Sequence, residues 1–273
     1  MTMPFDDTDE LAAAYDDLPL WSAPFGLALL DAVRLTDVRA ALDVGCGAGF
    51  PLVELAERLG AGARVVGLDP WRSALRRVRA KLALREVDRV SVVAAAAEAM
   101  PFADGVFDLL VSNNGLNNVA DAAAALAECR RVARPDAQLV MTVNLPDTMR
   151  ELYAVFAGLL AERGAPGAVA AMHAHIAAKR PSVSRWLARL AAAGFTVRAA
   201  RPGEFRMRYA TGAALFRQWF IRLGFLPPWR ELLPAGEAPA LLAELERRLD
   251  ELAAVHGELA LTVPFVCLAS RRA

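Results

Sequence analysis

Cysteine, histidine and tyrosine occur only three times each in this 273-residue chain, and each scarcity removes a class of protein. Cys46, Cys129 and Cys267 are too scattered for a disulfide framework, and they show none of the paired spacings of a zinc site. A reducing, cytoplasmic compartment is the expectation from that usage. Net charge is missing too. Lys+Arg and Asp+Glu both total 31, so the basic footprint of a nucleic-acid-binding surface is absent. No uncharged apolar run approaches the roughly 18–20 residues of a membrane span. The opening residues carry Asp6, Asp7, Asp9 and Glu10, the reverse of a secretory leader's basic start, so no leader is expected. What the chain has is apolar material. Hydrophobic residues make up 56% of it, inflated by alanine, which is ample for the core of one α/β domain with insertions.

Short apolar runs bounded mostly by Gly, Pro, Asp or Asn predict buried strands at Ala40–Val44, Arg64–Leu68, Val90–Ala94, Phe107–Ser112 and Gln138–Val143. Helical patterns lie between them. Pro51–Leu59 puts Leu52, Leu55 and Leu59 on one face with Gly60 as a stop, and Ala122–Val132 ends before Arg134-Pro135. This alternation predicts an α/β fold, a parallel sheet covered on both faces. After Asn144 the rhythm changes. Leu145–Ser182 is mostly helical in pattern, Ser184–Ala193 reads as a helix capped by Gly194, and Phe195–Ala200 as a sixth strand. A long stretch from Arg201 to Gly257 ends in an amphipathic helix carrying Leu242, Leu245, Leu249 and Leu252, and Leu259–Ser270 closes as a last strand. Pro202-Gly203 and Pro234-Ala235-Gly236 read as turns.

The sharpest motif is Asp43-Val44-Gly45-Cys46-Gly47-Ala48-Gly49 at the first strand-to-helix junction. Glycines let the chain turn tightly and let a ligand touch the backbone. A bare glycine triplet also occurs in dinucleotide sites, which leaves a nucleotide-dependent oxidoreductase open. Two features turn the reading elsewhere. The spacing is G-x-G-x-G without the G-x-x-G end, and a carboxylate, Asp43, stands two residues before the first glycine. That acid would repel a pyrophosphate and suits a cationic ligand. Asp69, in Leu68-Asp69-Pro70-Trp71, ends the second strand 20 residues past Gly49, where a carboxylate accepts two hydrogen bonds from a ribose diol. Trp71 is placed to pack beside a base.

With these motifs in order, residues 38–145 resemble a class I S-adenosylmethionine (SAM)-dependent methyltransferase, of the broad group that includes ubiquinone/menaquinone-type and other small-molecule methyltransferases. Ala96-Ala97-Glu98-Ala99-Met100-Pro101-Phe102 resembles that family's adenine loop. Phe107–Asn114 resembles its fourth strand and the polar turn beneath the cofactor, and Glu128–Pro135 its helix into strand five. The resemblance implies a Rossmann-like, mostly parallel seven-stranded sheet with the last strand antiparallel, helices on both faces, and SAM as cofactor. It also implies a cofactor set of Asp43, Gly45, Cys46, Gly47, Gly49, Asp69, Pro70, Trp71, Ala97, Glu98, Asn113 and Asn114. Two positions depart from the pattern. Ala96 stands where an acid usually receives the adenine amino group, with Glu98 or a backbone carbonyl as substitutes, and Asp136 stands where glycine is common.

A single domain spanning 1–273 is expected, with lid segments at about 1–30, 145–182 and 202–257 over the carboxyl rim of the sheet, where open α/β sheets bind ligands. Their aromatic content suits a small, partly hydrophobic acceptor. Trp21, Asn117, Tyr153 and Trp219 are candidate substrate residues, and Tyr15 and His173 are the candidates for a catalytic role. His173-x-His175 has no third ligand pattern, so no metal is expected. The expected function is in-line methyl transfer to a small molecule. A non-catalytic relative that binds SAM or acts as a partner protein is the alternative.

Overall fold

A computed structural model describes residues 7–17, 21–234 and 236–273. Parts of the expected N-terminal lid segment (1–6 and 18–20) and the centre of the expected turn at 234–236 therefore lie outside the described residues. Helices α1 (Asp9–Asp17) and α2 (Ala23–Ala32) precede an alternation of β1 (Ala40–Val44), α3 (Leu52–Leu59), β2 (Arg64–Leu68), α4 (Arg72–Arg85), β3 (Val90–Val93), β4 (Phe107–Asn113), α5 (Ala122–Val132) and β5 (Ala133–Asn144). Then come α6 (Arg150–Glu162), α7 (Pro166–Lys179), α8 (Val183–Ala192), β6 (Phe195–Tyr209), α9 (Gly212–Arg217), α10 (Leu226–Glu231), α11 (Ala238–His256) and β7 (Leu259–Arg272). The chain forms two compact units: Met1–Asn144, Ser182–Gly203 and Phe265–Ala273 in one, Leu145–Pro181 and Glu204–Pro264 in the other.

The sheet has seven strands in the order β3-β2-β1-β4-β5-β7-β6. β1 pairs in parallel with β2 and β4, β2 with β3, and β4 with β5, while β7 runs antiparallel to β5. The chain order reverses between β1 and β4, which opens a crevice at their carboxyl ends. β1 is buried at every residue, as a strand covered on both faces must be. Leu29 and Leu30 of α2, Leu52 and Leu55 of α3, and Leu75 and Val78 of α4 pack with Ala41, Val65, Leu109, Val111 and Val140 of the strands. The leucines recur at helical spacing, and each fully buried one contributes about 1.5–3 kcal/mol. Asp121 starts α5 by accepting hydrogen bonds from the amides of Ala123 and Ala124. Gly60 ends α3 with φ +68°.

One expectation needs correction. Pro202-Gly203 is not a turn, because β6 runs on to Tyr209. β6 is an edge strand, so a proline without an N–H can face away from the ladder. Gly203 is required on the inner side, since a Cβ there would stand 2.3 Å from the Phe265 ring. Asp136 has φ +58°, which explains why glycine suits that position; aspartate is among the few other residues that tolerate it.

The second unit is helical around the outer ends of β6 and β7. Leu242, Leu245 and Leu249 of α11 are buried, and α9 approaches so closely that a Cβ on Gly212 would lie 2.6 Å from Leu249 Cβ. Trp229 packs with Tyr153, Phe216 and Phe225. Among the described residues, no helix is long and apolar enough to cross a membrane.

Gly203→Val should destabilise the protein by about 1–3 kcal/mol through overpacking against Phe265, read as a lower denaturation midpoint. An unchanged midpoint would show that the Phe265 ring moves aside freely.

Candidate functional site

The site grows from the turn between β1 and α3. Gly45 and Cys46 donate their amides to the Leu68 carbonyl at the end of β2, at 2.8 and 3.2 Å, and Gly49 donates to the Cys46 carbonyl at 2.9 Å. Gly45 has φ +77°, and a Cβ there would meet the Gly115 Cα at 2.7 Å, so only glycine fits on both counts. Gly47 and Gly49 also have positive φ. The Cys46 side chain turns inward, 2.8 Å from where a Cβ on Gly67 would stand. Burial pushes its thiol well above the ordinary range and keeps it neutral.

Asp43 is fully buried, and neither of its carboxylate oxygens has a hydrogen-bond partner among the described residues. Burial first, and the charge of Asp69 second, push its carboxyl up to about 8. Asp69 is also buried, with Oδ2 accepting from the Gly47 amide and Oδ1 from the Trp71 amide, each at 2.8 Å. Burial pushes it up to about 6 against those two bonds. Tyr15, from α1, reaches the same place. Its ring meets Trp71 edge-on at 5.7 Å between centroids, and a Cβ on Gly47 would lie 3.5 Å from it. Burial, then Asp69 and Asp43, push its phenol up to about 12 against a hydrogen bond with Ser22. α1 is held on α4 by Arg77–Asp16 at 2.7 Å, by Lys81–Asp16, and by Arg76–Asp9 at 2.5 Å; Lys81 also donates to the Ala48 carbonyl at 2.9 Å.

Asp43 senses the charge of Asp69, Tyr15 senses both acids, and among the described residues no cation pairs with either acid. A buried carboxylate without a donor is costly unless an opposite charge meets it. Asp43 therefore fits the cationic methionine end of SAM. Each Asp69 oxygen keeps a lone pair for a ribose hydroxyl beyond the amide it already holds. Pro70 is half-buried, and Trp71 is buried beside it.

The neighbouring turn at the end of β4 is a network of amides. Asn113 donates through Nδ2 to the Ser22 carbonyl at 3.1 Å and accepts from Thr142 at 2.8 Å. Asn114 accepts from the Asn144 amide at 3.0 Å. Asn117 donates to Asn144 Oδ1, while its own Oδ1 is buried without a partner among the described residues. In the 96–102 loop Ala97 is buried, and Glu98 Oε1 accepts from the amides of Ala120 and Asp121 at 2.8 and 3.2 Å. Trp21 is half-buried and edge-on to Phe25.

Sequence reasoning passed over two groups here. Glu128 accepts from the Met100 amide at 2.8 Å, and Arg131 donates to the carbonyls of Met100 and Phe102 at 2.9 and 2.7 Å, so α5 holds the adenine loop in shape. Gly115 fits where a Cβ would come within 2.3 Å of the Val44 carbonyl. The spacing of Glu128 and Arg131 at i, i+3 was the available signal for the first; nothing local signalled the second. Tyr153, His173 and Trp219 belong to the second unit. Tyr153 is buried there, His173 is exposed on α7, and Trp219 is 37% exposed.

Over 272 residues the chain is 32% identical to nocamycin O-methyltransferase of Saccharothrix syringae, covering 96% of each protein. The chain belongs to the class I SAM-dependent methyltransferases. A family described as a methyltransferase domain matches residues 42–141, which hold the glycine loop, Asp69 and the 96–102 loop. Demethylmenaquinone methyltransferase of Shouchella clausii is 37% identical over 113 residues, 40% of this chain and 48% of that protein. The fold is shared with a geranyl diphosphate methyltransferase solved in complex with SAM, at 18% identity and a TM-score of 0.53 over 92% of this chain and 85% of that one. This methyltransferase is an enzyme that uses SAM to methylate a small molecule.

The raised carboxyl of Asp43 sets a pH dependence. Its folded pKa, about 8, lies above the ordinary 3.8, so between those values the cofactor-free fold holds more protons than the unfolded chain. Stability should therefore fall as pH rises through that window. Asp43→Asn should flatten the decline and weaken S-adenosylhomocysteine binding by about tenfold or more, since it removes a charge-assisted contact. Thermal melts from pH 5 to 9 with calorimetric titration check both; an undiminished slope or undiminished affinity would contradict the assignment.

Proposed function

We propose that this methyltransferase acts on an oxygen of a small, partly hydrophobic molecule. The observation that carries the reading is the match along almost the whole chain to an O-methyltransferase, where the quinone-type relative matches under half. The balanced charge gives no support to a nucleic-acid acceptor. The three cysteines are buried and unpaired, which supports a cytoplasmic location.

Bound SAM supplies a methyl group on a sulfonium, already a good leaving group. The protein's share is binding, orientation and exclusion of water. Asp43 neutralises the amino end, and the Gly45–Gly49 turn lets the backbone come close. Asp69 fixes the ribose through lone pairs left over from the Gly47 and Trp71 amides. Glu98, with both its Oε1 bonds on the 120–121 turn, shapes the adenine loop, and the loop's backbone stands in for the acid missing at Ala96. Asn113 and Asn114 hold the turn beneath the cofactor. Tyr15 works as a neutral phenol, because burial and two carboxylates oppose its ionisation, so it positions the reactants and does not take a proton. Asn117, with a buried acceptor oxygen to spare, orients a hydroxyl. We assign a part in choosing the acceptor to Trp21, edge-on to Phe25.

Incubation with methyl-labelled SAM and a panel of phenols, enols and carboxylic acids should place the label on oxygen, seen by mass spectrometry; label on carbon or nitrogen would refute the reading. Tyr15→Phe should lower kcat but keep the wild-type shape of the pH–rate profile. Loss of one limb of that profile would make Tyr15 the base.

A further inference from the structure

In the second unit, Arg180 stands at the end of α7 with only 6% of its surface exposed. A buried guanidinium ordinarily meets a carboxylate, because an unpaired charge costs several kcal/mol away from water. Arg131 and Arg248 each reach two acids. Arg180 makes no ion pair among the described residues. Its Nη1 donates to the Thr148 carbonyl at 3.0 Å and its Nη2 to the Tyr153 hydroxyl at 3.3 Å, and its guanidinium carbon lies 5.2 Å from the centroid of the Tyr153 ring.

Tyr153 makes the imbalance sharper. Its oxygen also accepts from Trp229 Nε1 at 3.1 Å, so both lone pairs are spent on donors. Its own O–H then has no acceptor among the described residues, although Tyr153 is 6% exposed and Trp229 is 1% exposed. Two of the five guanidinium N–H groups are used, a phenolic proton is left over, and among the described residues no acidic side chain pairs with them.

We propose that Arg180 and Tyr153 form an oxyanion-binding site, backed by Trp229, that takes the carboxylate of a small organic acid. One guanidinium balances one negative charge, which fits a carboxylate better than a phosphate dianion. The planar fork offers two parallel N–H groups to the two carboxylate oxygens, and the spare phenolic proton supplies a further donor. Phe216 and Phe225 flank Trp229 at 6.3 and 5.8 Å between ring centroids, so an aromatic acid suits the surroundings. The site lies wholly in the second unit and stands whatever atom the enzyme methylates.

Calorimetric titration of the full chain with benzoate, followed in parallel by tryptophan fluorescence, tests it, with benzamide and inorganic phosphate as comparison ligands. Benzoate should bind and perturb the emission of Trp229, and benzamide should not bind measurably. Arg180→Met should weaken benzoate by at least about tenfold, the range of a charge-assisted hydrogen bond. Tyr153→Phe should weaken it several-fold, and both variants should bind S-adenosylhomocysteine as the wild type does. If Arg180→Met does not fold, Tyr153→Phe carries the test. Absence of benzoate binding, equal binding of benzamide, tighter binding of phosphate, or undiminished binding by the variants would each overturn the proposal.

Discussion

The structure turns on two carboxylates held at the ends of adjacent parallel strands, neither of them in an ion pair among the described residues. Asp43 lies inside β1, where both neighbours are strands and every residue is buried. Asp69 follows β2 and is fixed by two backbone amides. Burial raises both acids, with the charge of Asp69 adding at Asp43 and that of Asp7 at Asp69, Asp43 to about 8 and Asp69 to about 6. A fold under no functional demand would replace Asp43 with valine or leucine, as at the positions around it. A buried acid without a partner is the physical sign of a ligand that brings positive charge.

The glycines and the asparagine turn serve that pair. Gly45 and Gly115 let two loops approach to a distance that no side chain allows, which brings the end of β4 beside the end of β1. Ser112 ties the two strands by donating to the Val44 carbonyl at 2.8 Å and accepting from the Leu116 amide at 3.1 Å. α1 then carries Tyr15 onto the glycine loop through ion pairs with α4. The Arg76–Asp9 pair is exposed and individually weak, so the helix depends more on the half-buried Asp16, which Arg77 and Lys81 share.

Much of this was legible in the sequence. β1, β2 and α5 have the bounds that the apolar runs indicate, because a strand buried on both faces and a helix with an aspartate cap leave strong local marks. Asp43, Asp69 and the glycine loop were readable as a set for the same reason: their spacing fixes them to consecutive strand ends. The extent of β6 was not readable. Pro202-Gly203 is a local turn signal, and only the strand's place at the sheet edge and the Phe265 ring beside it make both residues acceptable in a strand. The arrival of Tyr15 at Gly47, the contact between Gly45 and Gly115, and the donor excess around Arg180 also depend on tertiary placement, which no local pattern encodes.

The central claim is that a cationic ligand discharges the Asp43–Asp69 pair. Calorimetry of S-adenosylhomocysteine binding near pH 7, repeated in buffers of different ionisation enthalpy, counts the protons exchanged. The account predicts net proton release, with Asp43 losing the proton it holds below about 8 as the ligand's ammonium group arrives. Binding with no proton released, or with proton uptake, would contradict it.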